Sequence, residues 1–257
     1  MENEFYIWEG IFDTFSQARQ KAKGMGFNGD VYNSRVLIAA KECLMALENG
    51  NPIPSFHKQR NTLLPPIVAV MLANKNKLDI LDLGGGLGIG YMTLMESIPD
   101  YRDKLNYDIV EVDEVCEKGR ILFSRKNSVN FLNKLPSSCE YNLVHTSSVL
   151  QYFENWKDAL KQLSEYNAEY ISLADVFAGH IPTYVTLQNY YESKMEHWFL
   201  NLDELLLCFS SLGYKLVMKS YCNVKRLDLL DTLPMNNFPL THRIDQTLNL
   251  LFQKTNE

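Results

Sequence analysis

The chain has no C-x-x-C pair, and its five cysteines, Cys43, Cys116, Cys139, Cys208 and Cys222, are scattered and odd in number. That spacing is neither a disulfide framework nor a zinc site; it reads as the reduced thiols of a cytoplasmic protein. Long apolar runs are missing too. The longest, from Pro65 to Ala73, is far short of the about 20 residues that cross a bilayer. No five like charges stand in a row, and a net charge of −6 leaves no basic footprint for nucleic acid. The start, Met1-Glu2-Asn3-Glu4, is acidic where a signal peptide is basic. Neither H-x-E nor H-E-x-x-H occurs, so no catalytic metal is expected. Without G-x-S-x-G there is no hydrolase elbow. Without G-x-x-x-x-G-K-[ST], ATP and GTP chemistry loses its main sign.

What is present is Asp82-Leu83-Gly84-Gly85-Gly86-Leu87-Gly88, directly after the apolar run Leu78-Asp79-Ile80-Leu81. A buried strand that ends in glycines and feeds a helix brings bare backbone N–H groups up to a ligand. The dinucleotide fingerprint G-x-G-x-x-G needs a third glycine where this chain has Ile89, counted from Gly84, or Tyr91, counted from Gly86. An NAD-dependent sugar oxidoreductase therefore fails on glycine spacing. Read from the acidic residue, the turn is D-x-G-x-G-x-G.

Strand and helix patterns alternate from residue 78 onward. Strands are expected at 78–83, 107–112, 129–131, 141–146, 170–174, 214–220 and 247–254, with helices through 97 and over 115–125, 156–166 and 203–212. Such alternation predicts an α/β fold with a doubly wound parallel sheet. Residues 1–75 read as helical with no strand. Thr14-Phe15-Ser16-Gln17 is a capping box opening a helix to about Lys23, a second helix follows from Val36 to Leu47, and a third spans 63–72. Between the first two, Phe27 to Tyr32 reads as a loop. The division expected is 1–75 as an N-terminal helical segment and 76–257 as the α/β domain.

Glu111-Val112-Asp113 ends the second strand, 23 to 25 residues after Gly88. In nucleoside-binding α/β folds an acidic residue there accepts the ribose hydroxyls. Glu111 is favoured with Asp113 close behind, the other being the cap of the next helix. At the rim of the fourth strand, Thr146, Ser147 and Gln151 are candidates to line the donor site, although serines there also cap helices. His180 sits on a loop flanked by Gly179 and Pro182 and is the preferred general base, with His145 second. Gln188, Tyr191 and His197 are acceptor-binding candidates on the same rim. An acceptor carrying phosphate would call for a cation such as Arg60, Lys194 or Arg226; for Arg60 the bland alternative is solvated surface charge.

Taken together, these residues resemble a class I S-adenosylmethionine (SAM) dependent methyltransferase over residues 78–254. A narrower resemblance covers nearly the whole chain. Trp8-Glu9-Gly10-Ile11-Phe12, Gly26-Phe27, the glycine turn, Ser147 to Tyr152 and Thr186-Leu187-Gln188 are similar to a bacterial methyltransferase family encoded among surface-polysaccharide genes for O-antigen or capsule. The resemblance implies a Rossmann-like seven-stranded sheet with its last strand antiparallel, residues 1–75 as a helical lid over the acceptor, 76–257 as the catalytic domain, and SAM as cofactor with S-adenosylhomocysteine (SAH) as product. Asp82, Gly84, Gly85, Gly86 and Gly88 would form the SAM turn, Glu111 would hold the ribose, and Phe131 and Leu132 would lie near the adenine. Asp113 departs from the family, which often has a neutral residue there. The implied activity is O-methyl transfer to a small polar acceptor, a nucleotide-linked sugar or a phosphate or phosphoramidate precursor. The alternative is a non-catalytic SAM-binding partner in a glycan-assembly complex. A cytoplasmic protein, with a homodimer as the assembly, completes the expectation.

Overall fold

The computed structural model describes residues 5–124, 128–137, 140–225 and 232–255; Cys139 and Arg226 lie outside them. The N-terminal part holds β1 (Trp8–Phe12) and four helices, α1 (Phe15–Arg19), α2 (Asp30–Glu48), α3 (Ser55–Lys58) and α4 (Leu64–Leu72). Thr14 caps α1 by accepting from Gln17 N at 3.2 Å, while Gln17 Oε1 accepts from Asp13 N, so the capping box forms one residue wide of its usual frame. Pro65 and Pro66 stand in the first turn of α4, where a missing N–H costs nothing. The strand β1 corrects the all-helical expectation for this region, and α2 begins six residues earlier than Val36.

The core runs β2 (Leu78–Leu83), α5 (Ile89–Ser97), β3 (Leu105–Val110), α6 (Asp113–Leu122), β4 (Val129–Leu132), β5 (Leu143–Ser147), α7 (Trp156–Ser164) and β6 (Tyr170–Val176). Next come β7 (Ala178–Gly179), β8 (Tyr184–Tyr190), β9 (Ser193–Asn201), α8 (Leu202–Ser211), β10 (Tyr214–Cys222) and β11 (Thr247–Lys254). Seven strands form one sheet in the order β10-β11-β6-β5-β2-β3-β4. The pairs from β4 through β6 are parallel, whereas β11 is antiparallel to both β6 and β10. This is the seven-stranded sheet with an antiparallel last strand. Helix-covered parallel strands are buried on both faces, as Leu78, Ile80 and Leu81 are. One apolar layer packs α2, α4 and α5 on one face of the sheet and another packs α7 and α8 on the other.

A second sheet, in the order β1-β8-β9-β7, was not expected. The hairpin β8–β9 lies between β6 and α8, and its outer neighbour is β1, with Trp8 opposite Gln188 and Phe12 opposite Val185. Trp8 anchors it, fully buried against Phe177 and Phe199 at 5.5 Å each between ring centroids. Thus the cover is made jointly by the start of the chain and by the segment after β6.

Candidate functional site

A cavity of about 550 Å³ opens where β2, β3, β5 and β6 end. Ligands in open α/β sheets bind outside these carboxyl ends. One wall comes from the sheet rim, with Gly84, Glu111, Val112, Asn133, Ser147 and Val149. The facing wall comes from the cover, with Phe27, Tyr32, Arg60, Phe177, Gln188 and Tyr190.

The glycine turn shapes the rim wall. Gly84 has φ +70 and donates its N–H to Val110 O at 2.9 Å; a Cβ there would overlap Val149 Cγ2. At Gly85 a Cβ would strike the Asp82 carboxylate. Gly86, with φ +57, has nothing within 4 Å of where a Cβ would stand, so backbone alone is presented there. Gly84 closes the turn, Gly85 leaves room for the Asp82 carboxylate, and Gly88 (φ +77) launches α5.

Glu111 sits just past β3. Its Oε1 accepts from Gly86 N and its Oε2 from Val112 N, both at 3.0 Å, and burial raises its pKa. Asp113 is the first residue of α6, is exposed and does not line the cavity; its Oδ1 accepts from Asn133 Nδ2 at 2.7 Å. The geometry therefore separates two carboxylates that the sequence left competing. It places Glu111 at the cavity and Asp113 behind Asn133. Phe131 and Leu132 do not line it either. The Phe131 ring is buried against Gly119 and lies 5.6 Å from Phe123, and Leu132 packs into the core, so the residue that reaches the cavity from β4 is Asn133.

On the β5 rim, Ser147 lines the cavity and Thr146 is buried beside it; neither hydroxyl has a partner among the described residues. Gln151 is buried and donates to Ser148 Oγ at 3.2 Å, outside the cavity wall. Ser148 and Asp175 adopt left-handed φ values of 58° and 53°. Such strain in residues with a Cβ gathers at functional sites, and both stand where strands β5 and β6 end.

None of the three candidate histidines lines the cavity. His180 is 75% exposed, outside the cavity, and lies 3.7 Å from Asp203. His145 is buried, with Ser172 Oγ and Asn61 Oδ1 each 3.3 Å from a ring nitrogen, and burial pushes its pKa down to about 4. Neither reaches the cavity as a base. His197 is buried in an aromatic cluster, 4.4 Å from Phe177 and 5.9 Å from Trp8 between centroids, behind the wall. Tyr191 stands outside against Arg35.

Two acceptor-side expectations do meet the cavity. Gln188 lines it and accepts from Tyr152 OH at 2.7 Å. Arg60 lines it too, its Nε donating to Asp175 Oδ2 at 2.8 Å. Lys194 is turned to Glu9 at 2.7 Å instead. Phe27 and Tyr32, which line the cavity, lie in the segment that the sequence reads only as a loop between helices. Among the described residues no group of three or more His, Cys, Asp or Glu is placed to hold a metal. No described helix is long and apolar enough to cross a membrane.

Residues 56–219 match a family model described as a methyltransferase domain, and the chain belongs to that family. Its fold is shared with Burkholderia thailandensis 1,6-didemethyltoxoflavin-N1-methyltransferase, solved with 1,6-didemethyltoxoflavin and SAH. That likeness has a TM-score of 0.55 at 12% identity and covers 91% of this chain and 94% of the other. Magnesium protoporphyrin IX methyltransferase from Synechocystis, solved with SAM, aligns with a TM-score of 0.50 at 12% identity over 88% and 94%. No curated protein matches by sequence. The protein is a methyltransferase with the class I fold of these enzymes. The rim wall brings the Gly84 backbone, the half-buried Glu111 carboxylate and the Ser147 hydroxyl, unpartnered among the described residues, to one side of the cavity.

Proposed function

We propose that the protein methylates an oxygen of a small polar acceptor made for a bacterial surface polysaccharide, a nucleotide-linked sugar or a phosphate or phosphoramidate precursor. It would work in the cytoplasm and release SAH. The observation that carries this reading is a cavity that joins the glycine rim at Gly84 to a polar, aromatic cover containing Arg60 and Gln188. The sequence resemblance to polysaccharide-cluster methyltransferases supplies the setting. Gly84, Gly86, Gly88, Glu111, Asn133 and Ser147 would hold the donor. Its sulfonium already activates the methyl group, so the protein's work is alignment and exclusion of water. Arg60, Gln188, Tyr32 and Tyr190 would seat the acceptor, with Phe27 and Phe177 closing the apolar sides.

The test begins with a thermal melt in SAM, SAH, NADH or buffer alone. A ligand at about 100 times its Kd adds roughly 2.7 kcal/mol, a shift of several degrees. Stabilisation by SAM and SAH leads on to SAH-release assays with nucleotide sugars, sugar phosphates and phosphoramidate. A shift with NADH alone would refute the reading.

A further inference from the structure

We propose that the oxygen methylated is already ionised before it reacts, belonging to a phosphoryl or carboxylate group seated on the Nη side of Arg60, with Asp175 as the residue that positions Arg60. This rests on the methyl-transfer reading above and narrows its acceptor.

Two independent observations lead here. The first is how Arg60 is held. Among the described residues it is the cationic side chain of the cavity wall, 47% exposed, while its Asp175 partner is wholly buried at the end of β6. Asp175 Oδ2 takes the Arg60 Nε–H at 2.8 Å, and Asp175 Oδ1 takes the Thr247 hydroxyl at 2.6 Å. Both carboxylate oxygens are thereby engaged, and the carboxylate cannot swing to follow the guanidinium. Burial works against the Arg60 charge, but Asp175 outweighs it and the pKa is raised. Among the described residues no hydrogen bond occupies its Nη groups, and a guanidinium so placed in the cavity wall can bind an oxyanion through two parallel N–H bonds. A salt bridge made only for stability would not need a left-handed aspartate at the rim of the site.

The second observation concerns proton acceptors. A sugar hydroxyl must lose a proton to become a nucleophile, and the base must lie within hydrogen-bond reach. Among the described residues lining the cavity, Glu111 is the one carboxylate, and it is bound to Gly86 N and Val112 N on the donor wall. Burial pushes the Tyr32 and Tyr190 hydroxyls up, so they stay protonated at neutral pH and neither is a base. His145 and His180 are elsewhere. An ionised oxygen removes the requirement. It attacks the methyl carbon, the C–O bond forms as the C–S bond breaks, and the electron pair stays on sulfur. One positive and one negative charge are lost together, and no proton leaves.

The experiment titrates SAH-loaded protein with inorganic phosphate, phosphoramidate, acetate and glucose, in the wild type and in R60A, R60K and D175N, with SAH affinity measured in each. Phosphate or acetate should bind and glucose should not, the two anions deciding between phosphoryl and carboxylate acceptors. R60A should weaken anion binding about tenfold or more, as for loss of a hydrogen bond to a charged group. R60K should recover part of it. D175N should weaken anion binding while SAH affinity holds, which general loosening of the fold would not do. Anion binding indifferent to R60A, or glucose binding as tightly as phosphate and acetate, would overturn the inference while leaving methyl transfer standing. Failure of SAH itself to bind the wild type would overturn both.

Discussion

Replacing Asp82 by Asn is expected to stabilise the ligand-free protein at neutral pH and above. Asp82 lies under the glycine turn, 2% exposed, with Oδ2 accepting from Tyr107 OH at 2.7 Å and Oδ1 without a partner among the described residues. Burial raises its pKa from 3.8 to about 7, against the Tyr107 hydrogen bond and with some help from Glu111. The unfolded carboxyl ionises near 3.8 and the folded one near 7, so stability present at low pH is lost as pH rises between them. Above about pH 7 the loss is complete, and the shift corresponds to about 4 kcal/mol, a large part of the 5–15 kcal/mol of a typical domain. Asparagine carries no charge to desolvate. Urea unfolding of D82N and wild type, each at several pH values from about 4 to 8, should give a difference near zero at the acid end. That difference should grow to about 4 kcal/mol in favour of D82N. His145 acts in the opposite sense: its pKa falls from 6.5 to about 4 on folding, so its cost appears as pH drops through that window. Both proteins contain it, and the difference cancels it. A D82N advantage that does not change with pH would refute the assignment of a buried, reluctantly ionised Asp82.

Gly84→Ala should cost about 1–2 kcal/mol for its left-handed backbone and more for the overlap with Val149. Adding Val149→Ala should return the second part and not the first, as read by urea midpoints, while SAH affinity stays reduced in both. Full recovery in the double variant would show that backbone strain is not involved. His180→Ala should leave turnover within about twofold of wild type, as for a surface substitution; a hundredfold loss in the SAH-release assay would mean that this loop swings into the site. Trp8→Ala should cost about 3–5 kcal/mol, measured by equilibrium unfolding, since it removes the anchor of the second sheet. A cost under about 1 kcal/mol would show that this sheet is not coupled to the rest of the fold.

The main sheet was legible because parallel strands alternate with amphipathic helices, and because Asp82 to Gly88 marks one strand end without ambiguity. The second sheet was not. Strand β8 is buried on both faces from Tyr184 to Gln188, so it shows no alternation of polar and apolar residues, and β1 is only five residues long with its partner far along the chain. At the site, residue types pointed to the right neighbourhood without fixing depth. Strand β4 ends at Leu132, one residue short of the cavity, and this decides for Asn133 over Phe131. His180 looked reactive on a Gly-Pro loop, and nothing local reveals that the loop turns outward to Asp203. Arg60 looked like solvated charge because Asp175, which holds it, is 115 residues away.

The pairing of β1 with β8 also orders events as the chain is made. Trp8 leaves the ribosome with no strand to pair, and Gln188 follows only after on the order of ten seconds or more, at about 5–20 residues per second. By then β2, β3, β4 and β5 are complete, so the glycine turn and Glu111 can assemble before the aromatic wall closes over them. The glycine rim is complete before the hairpin that carries Gln188 and Tyr190 is made, and that hairpin brings shelter to an indole that has waited in water. A nascent chain halted before Tyr184 should therefore show Trp8 emission shifted to the red, and the shift should vanish once the hairpin is released.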